Sequence, residues 1–159
     1  MSEALSPSAR RVQDALHALG MNCQVVELPG STRTAVEAAA AVGCGVAQIV
    51  KSLVFRGKDS GRAVLVLVSG ANRVDEGLLA GSLGEGIEKA SPDFVREQTG
   101  FVIGGVPPVG HLHPILTYID TDLLQFEQIW AAAGTPHAVF QFRAADLERM
   151  TGGQVIRVK

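Results

Sequence analysis

The chain has 159 residues, of which 47% are hydrophobic and 19% are charged, and its formal net charge is −2. This length and composition are ordinary for a globular protein that buries its own core, so we expect a single domain over residues 1–159. The small negative charge argues against a general DNA-binding protein with a basic surface, and any contact with nucleic acid is expected to be local.

The cysteines and the start of the chain indicate a cytoplasmic protein. Cys23 and Cys44 lie far apart without a CxxC pair, which favours reduced thiols. Residues 1–7 lack the basic and apolar regions of a signal peptide. No apolar run reaches the length of a membrane span, so we expect no membrane partner.

Helix and strand signals alternate along the first half of the chain. Ser6-Pro7 places a cap and a proline at a helix start, and Thr34 with Glu37 forms a capping box. The continuous β-branched and leucine run of residues 63–68 predicts a central, buried strand. The expected elements are a helix from Ser6 to Gly20, a strand Gln24–Leu28, a helix from Thr34 to Gly43, a strand Ile49–Phe55 and the strand Ala63–Val68.

The second half mixes the two element types without a regular order. After a turn at Ser69–Arg73, the expected elements are a short helix Val74–Leu79, a helix from Ser91 to Gly100, a buried strand Phe101–Ile103, a strand Leu116–Ile119, a strand-like piece and then a helix within Leu123–Ala133, a strand Val139–Phe142, a helix Ala144–Met150 and a strand Val155–Val158. Because a strict βαβ alternation is missing, we expect an α+β or mixed α/β fold rather than a Rossmann sheet.

A loop rich in glycine and proline follows the apolar run that ends at Ile103. Gly104 and Gly105 allow the backbone to approach a ligand closely, while Pro107 and Pro108 fix φ and remove two amide donors. A stiff loop with a few remaining N–H groups suits the binding of a carbonyl, a carboxylate or a phosphate. A β-turn without any chemistry is the alternative interpretation.

Lys51 is the second candidate, since it stands in an otherwise apolar predicted strand. A lysine is rarely placed there unless its side chain reaches out to solvent or serves a site. An outward-facing lysine on a half-exposed strand is an equally acceptable interpretation of the pattern by itself. Pairing with the glycine-proline loop favours the functional interpretation.

Other kinds of site find little support. His111 and His113 have no third ligand nearby, so we expect no metal site. The chain lacks a Gly-x-Ser-x-Gly elbow, and neither cysteine stands in a catalytic signature. Gly84-Glu85-Gly86 is not followed by a dinucleotide-binding pattern, and no cofactor is expected.

Several segments, taken together and in order, resemble the YbaK/ProX family, the free-standing relatives of the editing domain inserted in bacterial prolyl-tRNA synthetases. The segments that carry the resemblance are Ser31–Ala39, Ile49–Phe55, Thr99–His111, Ile119-Asp120, Asp146-Leu147 and Thr151-Gly152. The resemblance implies a mixed, barrel-like β-sheet flanked by helices. It also implies hydrolysis of the ester in mischarged aminoacyl-tRNA, with the 3′ acceptor end as partner and a synthetase as a further candidate partner.

The family pattern also implies roles for individual residues. Lys51 matches its essential lysine and would contact either the ester carbonyl or the terminal phosphate. Amides of Gly105 and Val106 would position the carbonyl, within a catalytic loop that includes Gly104 and Pro107. A general base is not evident, which agrees with catalysis assisted by the ribose hydroxyl of the substrate. The remaining residues expected to bind substrate are Thr32, Thr34, Ser52, Ser69, Pro108, Gly110, His111 and Val139.

Some positions depart from the known branches of the family. Val139 stands where members that act on Cys-tRNA have an aspartate, and Thr34 where they have an aromatic residue, so a cysteine preference is not expected. Lys51-Ser52 differs from the Lys-Asn pair of the alanine-specific branch. Alanine, 2-aminobutyrate, serine and threonine remain open as the amino acid, with tRNA-Pro as the expected carrier. The rival hypothesis is a non-catalytic module that binds a tRNA acceptor end or a synthetase.

Overall fold

The computed structural model describes residues 5–159. The signal-peptide expectation rests on residues 1–7, and residues 1–4 lie outside the described range. Across the described range, no helix is both long enough and apolar enough to cross a membrane.

The described residues form five α-helices and eight strands, which confirms the expected mixed α/β fold. The helices are α1 Pro7–Ala18, α2 Ala35–Val42, α3 Glu76–Leu83, α4 Pro92–Thr99 and α5 Leu147–Thr151. The strands are β1 Val25–Glu27, β2 Ile49–Gly57, β3 Ala63–Ser69, β4 Ile87–Lys89, β5 Leu116–Asp120, β6 Gln128–Ala132, β7 Ala138–Arg143 and β8 Gln154–Ile156. All eight belong to one mixed sheet with the order β1-β7-β6-β2-β3-β5-β8, in which β4 also pairs with β2.

Strand β3 is an interior, buried strand of the sheet, paired with β2 and β5, as its sequence predicts. Every residue of β3 is buried. Leu65 and Leu67 pack into a core cluster that includes α1, whereas Val64, Val66 and Val68 pack into a second cluster that includes residues of α3. A strand that is covered on both faces needs an unbroken apolar run, which explains the absence of polar alternation in this segment.

Strand β2 has one complete edge and one interrupted edge. Along the complete edge it runs antiparallel to β3, from the pair Val50–Ser69 to the pair Arg56–Ala63. Along the other edge, residues 49–50 pair in parallel with β6 and residues 55–57 pair antiparallel with β4. Within the described part of the chain, residues 51–53 have no strand partner on this edge. We call this opening the edge gap.

The predicted strand Phe101–Ile103 is wrong. Only Phe101 is buried, under the Arg11 guanidinium at 4.4 Å from the ring centroid, while Val102 and Ile103 are 38% and 43% exposed. The N–H of Gly105 donates to the carbonyl of Val102 at 3.0 Å. This bond closes a turn, so the chain reverses where the apolar run predicted extension.

The prediction for Leu123–Ala133 has the order of elements reversed. A 3-10 helix at Thr121–Gln125 comes first, and strand β6 follows. Asp120 caps the 3-10 helix by accepting a hydrogen bond from the N–H of Asp122 at 2.9 Å. Alanine favours helix locally, but pairing with both β2 and β7 overrides that preference in β6. Strand β4 was missed because it is three residues long and two of them are charged.

Candidate active site

Two clefts meet at the edge gap of β2. The narrow cleft has a volume of about 340 Å³ and lies between α2, β2, β6 and the glycine-proline loop. The wide cleft, about 560 Å³, lies toward β4 and α4. Five residues line both clefts: Lys51, Ser52, Leu53, Ile103 and Val106.

The walls of the two clefts differ in chemistry. The narrow cleft is mainly apolar, with Ala38, Ile49, Trp130 and Val139 among its lining residues. The wide cleft is lined by three ionisable side chains besides Lys51, namely Arg73, Glu76 and Lys89, whereas the narrow cleft has one, Arg33. A small apolar group therefore suits the narrow cleft, and a larger anionic group suits the wide one.

Lys51 stands between the clefts and is not an outward-facing lysine. Its Nζ donates to the main-chain carbonyl of Asn72 at 2.5 Å. Burial lowers the pKa of Lys51 below the ordinary 10.5, the charge of Arg73 lowers it further, and the charge of Asp120 acts in the opposite direction. An ammonium has three N–H donors, so two remain for a ligand.

A buried polar network fixes the turn that holds Lys51. The carboxylate of Asp120, which is 1% exposed, accepts hydrogen bonds from the side-chain amide of Asn72 at 2.8 Å and from the N–H of Ser69 at 3.0 Å. The same amide donates to Asp122 at 2.8 Å, and the Ser69 hydroxyl donates to the carbonyl of Ala47 at 2.7 Å. Ser69 therefore supports this turn and does not line either cleft.

The glycine-proline loop is held mainly by close packing. A Cβ on Gly105 would lie 2.8–2.9 Å from main-chain atoms of Thr135, and one on Gly104 would lie 2.7 Å from Cγ of Arg33. The carbonyl of Gly105 accepts from the N–H of Gly134 at 2.9 Å. Because the Gly105 amide is used in the turn with Val102, its expected role as a free donor does not fit the structure. The Val106 amide forms no hydrogen bond within residues 5–159.

The far end of the loop is fixed by a histidine. Nε2 of His111 lies 2.6 Å from the carbonyl oxygen of Pro107, and since that oxygen can only accept, Nε2 carries the hydrogen. Burial lowers the pKa of His111, and this hydrogen bond partly opposes the shift. Pro107, Pro108, Gly110 and His111 are absent from the lining of both clefts, so the structure places them behind the site rather than in it.

Four other residues predicted to bind substrate line the narrow cleft. Thr32 donates through both N–H and hydroxyl to the carbonyl of Pro136, at 2.6 and 3.0 Å. Thr34 forms the predicted capping box with Glu37, in which its hydroxyl oxygen accepts a hydrogen bond from the N–H of Glu37 at 3.1 Å. Val139 is 2% exposed. Ser52 differs from the two threonines, because its buried hydroxyl oxygen has no partner in the described structure.

Several residues of the site lie in segments without any recognisable motif. Arg73 and Lys89 come from a turn and a short strand that carry no motif, while Trp130 comes from the segment predicted as helix. Arg33 lies within the segment Ser31–Ala39, which resembles the family, but the resemblance implies no role for it. Across residues 5–159 no group of three side chains could hold a metal ion.

The chain is similar to known proteins in sequence and in structure. Residues 30–150 match the family model described as aminoacyl-tRNA editing domain. The uncharacterized protein YwhH of Bacillus subtilis is 30% identical over 131 residues, which are 82% of this chain and 83% of that protein. A proline–tRNA ligase of Thermosipho melanesiensis is 36% identical over 88 residues, which are 55% of this chain and only 15% of the ligase.

A solved structure is more similar still. It is the crystal structure of "a putative trans-editing enzyme for prolyl tRNA synthetase", which is 55% identical and superposes with a TM-score of 0.93. The alignment covers 98% of this chain and 99% of that chain.

Proposed function

This chain belongs to the family of aminoacyl-tRNA editing domains, and we propose that it is a deacylase that hydrolyses the ester of mischarged aminoacyl-tRNA in trans. We further propose that residues 1–159 act as one editing domain, in the cytoplasm where tRNA is charged. The proposal rests on one observation above all, the meeting of an apolar cleft and a cationic cleft at Lys51.

The two clefts match the two halves of the substrate. At the 3′ end of an aminoacyl-tRNA, a small acyl group is joined by one ester bond to a ribose, which carries the terminal base and leads to the first phosphate. The narrow cleft suits the acyl group, and the wide cleft with Arg73 and Lys89 suits the nucleotide. The ester then lies beside Lys51, where the clefts join.

Hydrolysis at this point needs positioning more than activation. Water attacks the ester carbonyl, the acyl–oxygen bond breaks, and the ribose oxygen leaves with a proton. The Val106 amide is a candidate donor to the carbonyl oxygen, and the two remaining N–H groups of Lys51 are candidates for the carbonyl or the terminal phosphate. Among the described residues, no carboxylate, imidazole or thiol lines the narrow cleft, and Glu76 is the one carboxylate that lines the wide cleft. We assign the neighbouring ribose hydroxyl as the relay, which accepts the proton of the water while it passes its own proton to the leaving ribose oxygen.

The apolar lining supports a small aliphatic amino acid. Two of the three hydroxyls that line the narrow cleft, those of Thr32 and Thr34, already have protein partners, and Val139 places a methyl group where an acid would be needed to select a polar side chain. We expect alanine and 2-aminobutyrate to be removed faster than serine and threonine. The similarity to a proline–tRNA ligase and to a structure described for prolyl-tRNA synthetase supports tRNA-Pro as the carrier.

Deacylation of a panel of charged tRNAs tests the proposal. The panel is tRNA-Pro carrying alanine, 2-aminobutyrate, serine, threonine, cysteine or proline, and the release of each amino acid is followed in time. We expect release of the small aliphatic residues and none of proline. Binding of the charged tRNA without release of any amino acid would support the non-catalytic binding module instead.

A variant of the pocket wall tests the assignment of the narrow cleft. Val139→Ala widens this cleft, so we expect the preference to shift by roughly tenfold toward the larger acyl groups, the scale of one or two methylenes. Val12→Ala is the matched control, since Val12 is fully buried in α1 away from both clefts. An identical shift in both variants would remove Val139 from the site.

A further inference from the structure

The edge gap of β2 leaves one residue of the central sheet with unpaired peptide groups at the site. On the basis of the proposed function, we propose that the main chain of Ser52 pairs with the aminoacyl group as one strand residue pairs with another. In this arrangement the Ser52 carbonyl accepts from the α-ammonium, and the Ser52 N–H donates to the ester carbonyl oxygen.

The hydrogen-bonding pattern of β2 determines where the Ser52 peptide groups point. In a strand, the N–H and C=O of successive residues point alternately to the two edges. The carbonyl of Ile49 accepts from Gly70, on the side of β3, at 2.7 Å. The carbonyl of Val54 accepts from Ala90, on the side of β4, at 3.3 Å. Ser52 is two residues from Val54, so its N–H and C=O point to the same side, into the edge gap.

Neither flanking strand reaches these groups. The parallel ladder with β6 ends at the pair Val50–Ala131, and the antiparallel ladder with β4 begins at the pair Phe55–Lys89. On the complete edge, Ser52 stands opposite Leu67, in a pair that exchanges no N–H···O bonds because its groups point the other way. A peptide in the middle of a central strand is normally paired, and leaving it without a partner is costly.

The chemistry of the gap suits an α-aminoacyl ester. An α-aminoacyl group carries an ammonium donor and a carbonyl acceptor on either side of one carbon, as a strand residue carries its N–H and C=O. Addition of a ligand to an exposed strand edge is a common mode of recognition. The narrow cleft, among its described lining residues, holds no carboxylate that could bind the ammonium, and Lys51 and Arg33 would repel it. The main-chain carbonyl of Ser52 is an acceptor that remains available to the ammonium beside these two cations.

Amide hydrogen exchange measured by NMR tests the pairing directly. The probe is adenosine with alanine joined to its 3′ carbon through an amide, which keeps the ammonium and the carbonyl but resists hydrolysis. On saturation with the probe, we expect exchange of the Ser52 amide to slow by at least about tenfold. The amides of Lys51 and Leu53 point to β3 and serve as internal controls, with an expected change of less than about twofold.

The N-acetylated form of the same probe tests the role of the ammonium. It lacks the charged donor, so we expect it to bind about 10- to 100-fold more weakly, the scale of one charge-assisted hydrogen bond. N-acetylalanyl-tRNA should likewise be deacylated with a kcat/KM lower by a similar factor than alanyl-tRNA.

The outcomes separate this inference from the proposed function. Deacylation of alanyl-tRNA, with an unchanged Ser52 amide or equal binding of both probes, would overturn the pairing and leave the deacylase in place. Failure to deacylate any charged tRNA, together with failure to bind the unmodified probe, would overturn the proposed function and the pairing with it.

Discussion

Two connecting segments border the site, and they are fixed by different physical means. The turn Ser69–Arg73 is held by hydrogen bonds to a buried carboxylate, that of Asp120. The glycine-proline loop has main-chain hydrogen bonds as well but is held mainly by steric fit, because Gly104 and Gly105 lie against neighbouring chain with no room for a side chain. A polar network fixes the direction of one carbonyl, whereas close packing fixes the path of a backbone.

The difference indicates what each segment contributes to the site. The turn supplies the acceptor for the ammonium of Lys51, so its effect should be transmitted through that one side chain. The loop supplies a wall and the free amide of Val106, so its effect should depend on shape. Substitutions in the two segments should therefore differ in whether they affect the reaction rate or the stability.

Removing Lys51 should have the largest effect on the deacylation rate, because Lys51 contacts the turn and lines the clefts beside the loop. We expect Lys51→Ala to lower the deacylation rate by roughly 10²-fold or more, the scale of losing one preorganised charge stabiliser, with little change in stability. Lys51→Arg should restore little, since a planar fork does not replace a compact ammonium. Single-turnover deacylation measures both, and Lys58→Ala on the exposed end of the same hairpin is the control. Near-normal rates in folded Lys51→Ala would favour the binding module.

A methyl group in the glycine-proline loop should produce the next largest effect, on stability as well as rate. A Cβ at Gly105 cannot be accommodated 2.8–2.9 Å from the main chain of Thr135 unless the backbone shifts. We expect Gly105→Ala to lower the free energy of unfolding by about 1–3 kcal/mol, measured by urea denaturation, and to slow deacylation more than tenfold.

The matched control for this change is Gly81→Ala in α3. Apart from its chain neighbours and its own helix backbone, no heavy atom lies within 4 Å of a Cβ built there, so the substitution should stabilise the helix by about 0.5–1 kcal/mol. Equal effects of the two substitutions would contradict the packing account of the loop.

Loosening the turn should slow the reaction only through Lys51. Asn72→Ala removes the amide that joins the turn to Asp120 and Asp122, and we expect deacylation to slow by about tenfold. In the Lys51→Ala background the same substitution should change the rate less than about twofold, because the side chain that the turn positions is gone.

A buried amide elsewhere provides the control for the turn. Gln13 accepts from the N–H of Val25 and donates to the carbonyl of Cys23, each at 2.8 Å, far along the chain from the turn. Gln13→Ala should lower stability without changing the rate. An Asn72→Ala effect that persists without Lys51 would mean that the network acts on the whole fold rather than on one side chain.

The smallest effect expected concerns the histidine behind the loop. Burial lowers the pKa of His111 below the ordinary 6.5, so the unfolded chain binds its proton more readily than the folded one. The resulting contribution to stability is present above pH 6.5 and is lost as the pH falls through the folded pKa. His111→Gln keeps an N–H donor but does not titrate.

We therefore expect the free energy of unfolding of the His111→Gln protein to fall less steeply below pH 6.5 than that of the wild type. Thermal or urea unfolding at several pH values measures the slope. The change should be smaller than that of Gly105→Ala. Parallel profiles for the two proteins would show that the titration of His111 does not contribute to stability.

Local signals in the sequence predicted the local parts of this molecule. The capping box of Thr34 and the buried strand Ala63–Val68 depend on residues within a few positions of one another, and the structure has both. Lys51 and the glycine-proline loop were singled out for the same reason, as an unusual charge and an unusual loop in short apolar stretches.

Features that depend on distant partners could not be predicted in this way. The network of Asn72 and Asp120 joins residues 48 positions apart, and neither residue is unusual in its own segment. The edge gap exists only because β4 and β6 both pair with β2 and stop short of its middle. The strand predicted at Phe101–Ile103 is wrong because the chain turns there, where the N–H of Gly105 donates to the carbonyl of Val102.

The position of Trp130 gives the molecule a built-in optical reporter. It is the sole tryptophan in the sequence, and it lines the narrow cleft beside Ile49 and Val139. Its fluorescence emission therefore comes from this one location and should change in wavelength or yield when an acyl group displaces water from the cleft. Occupancy can then be followed in stopped-flow, without a label, on the time scale of a single turnover.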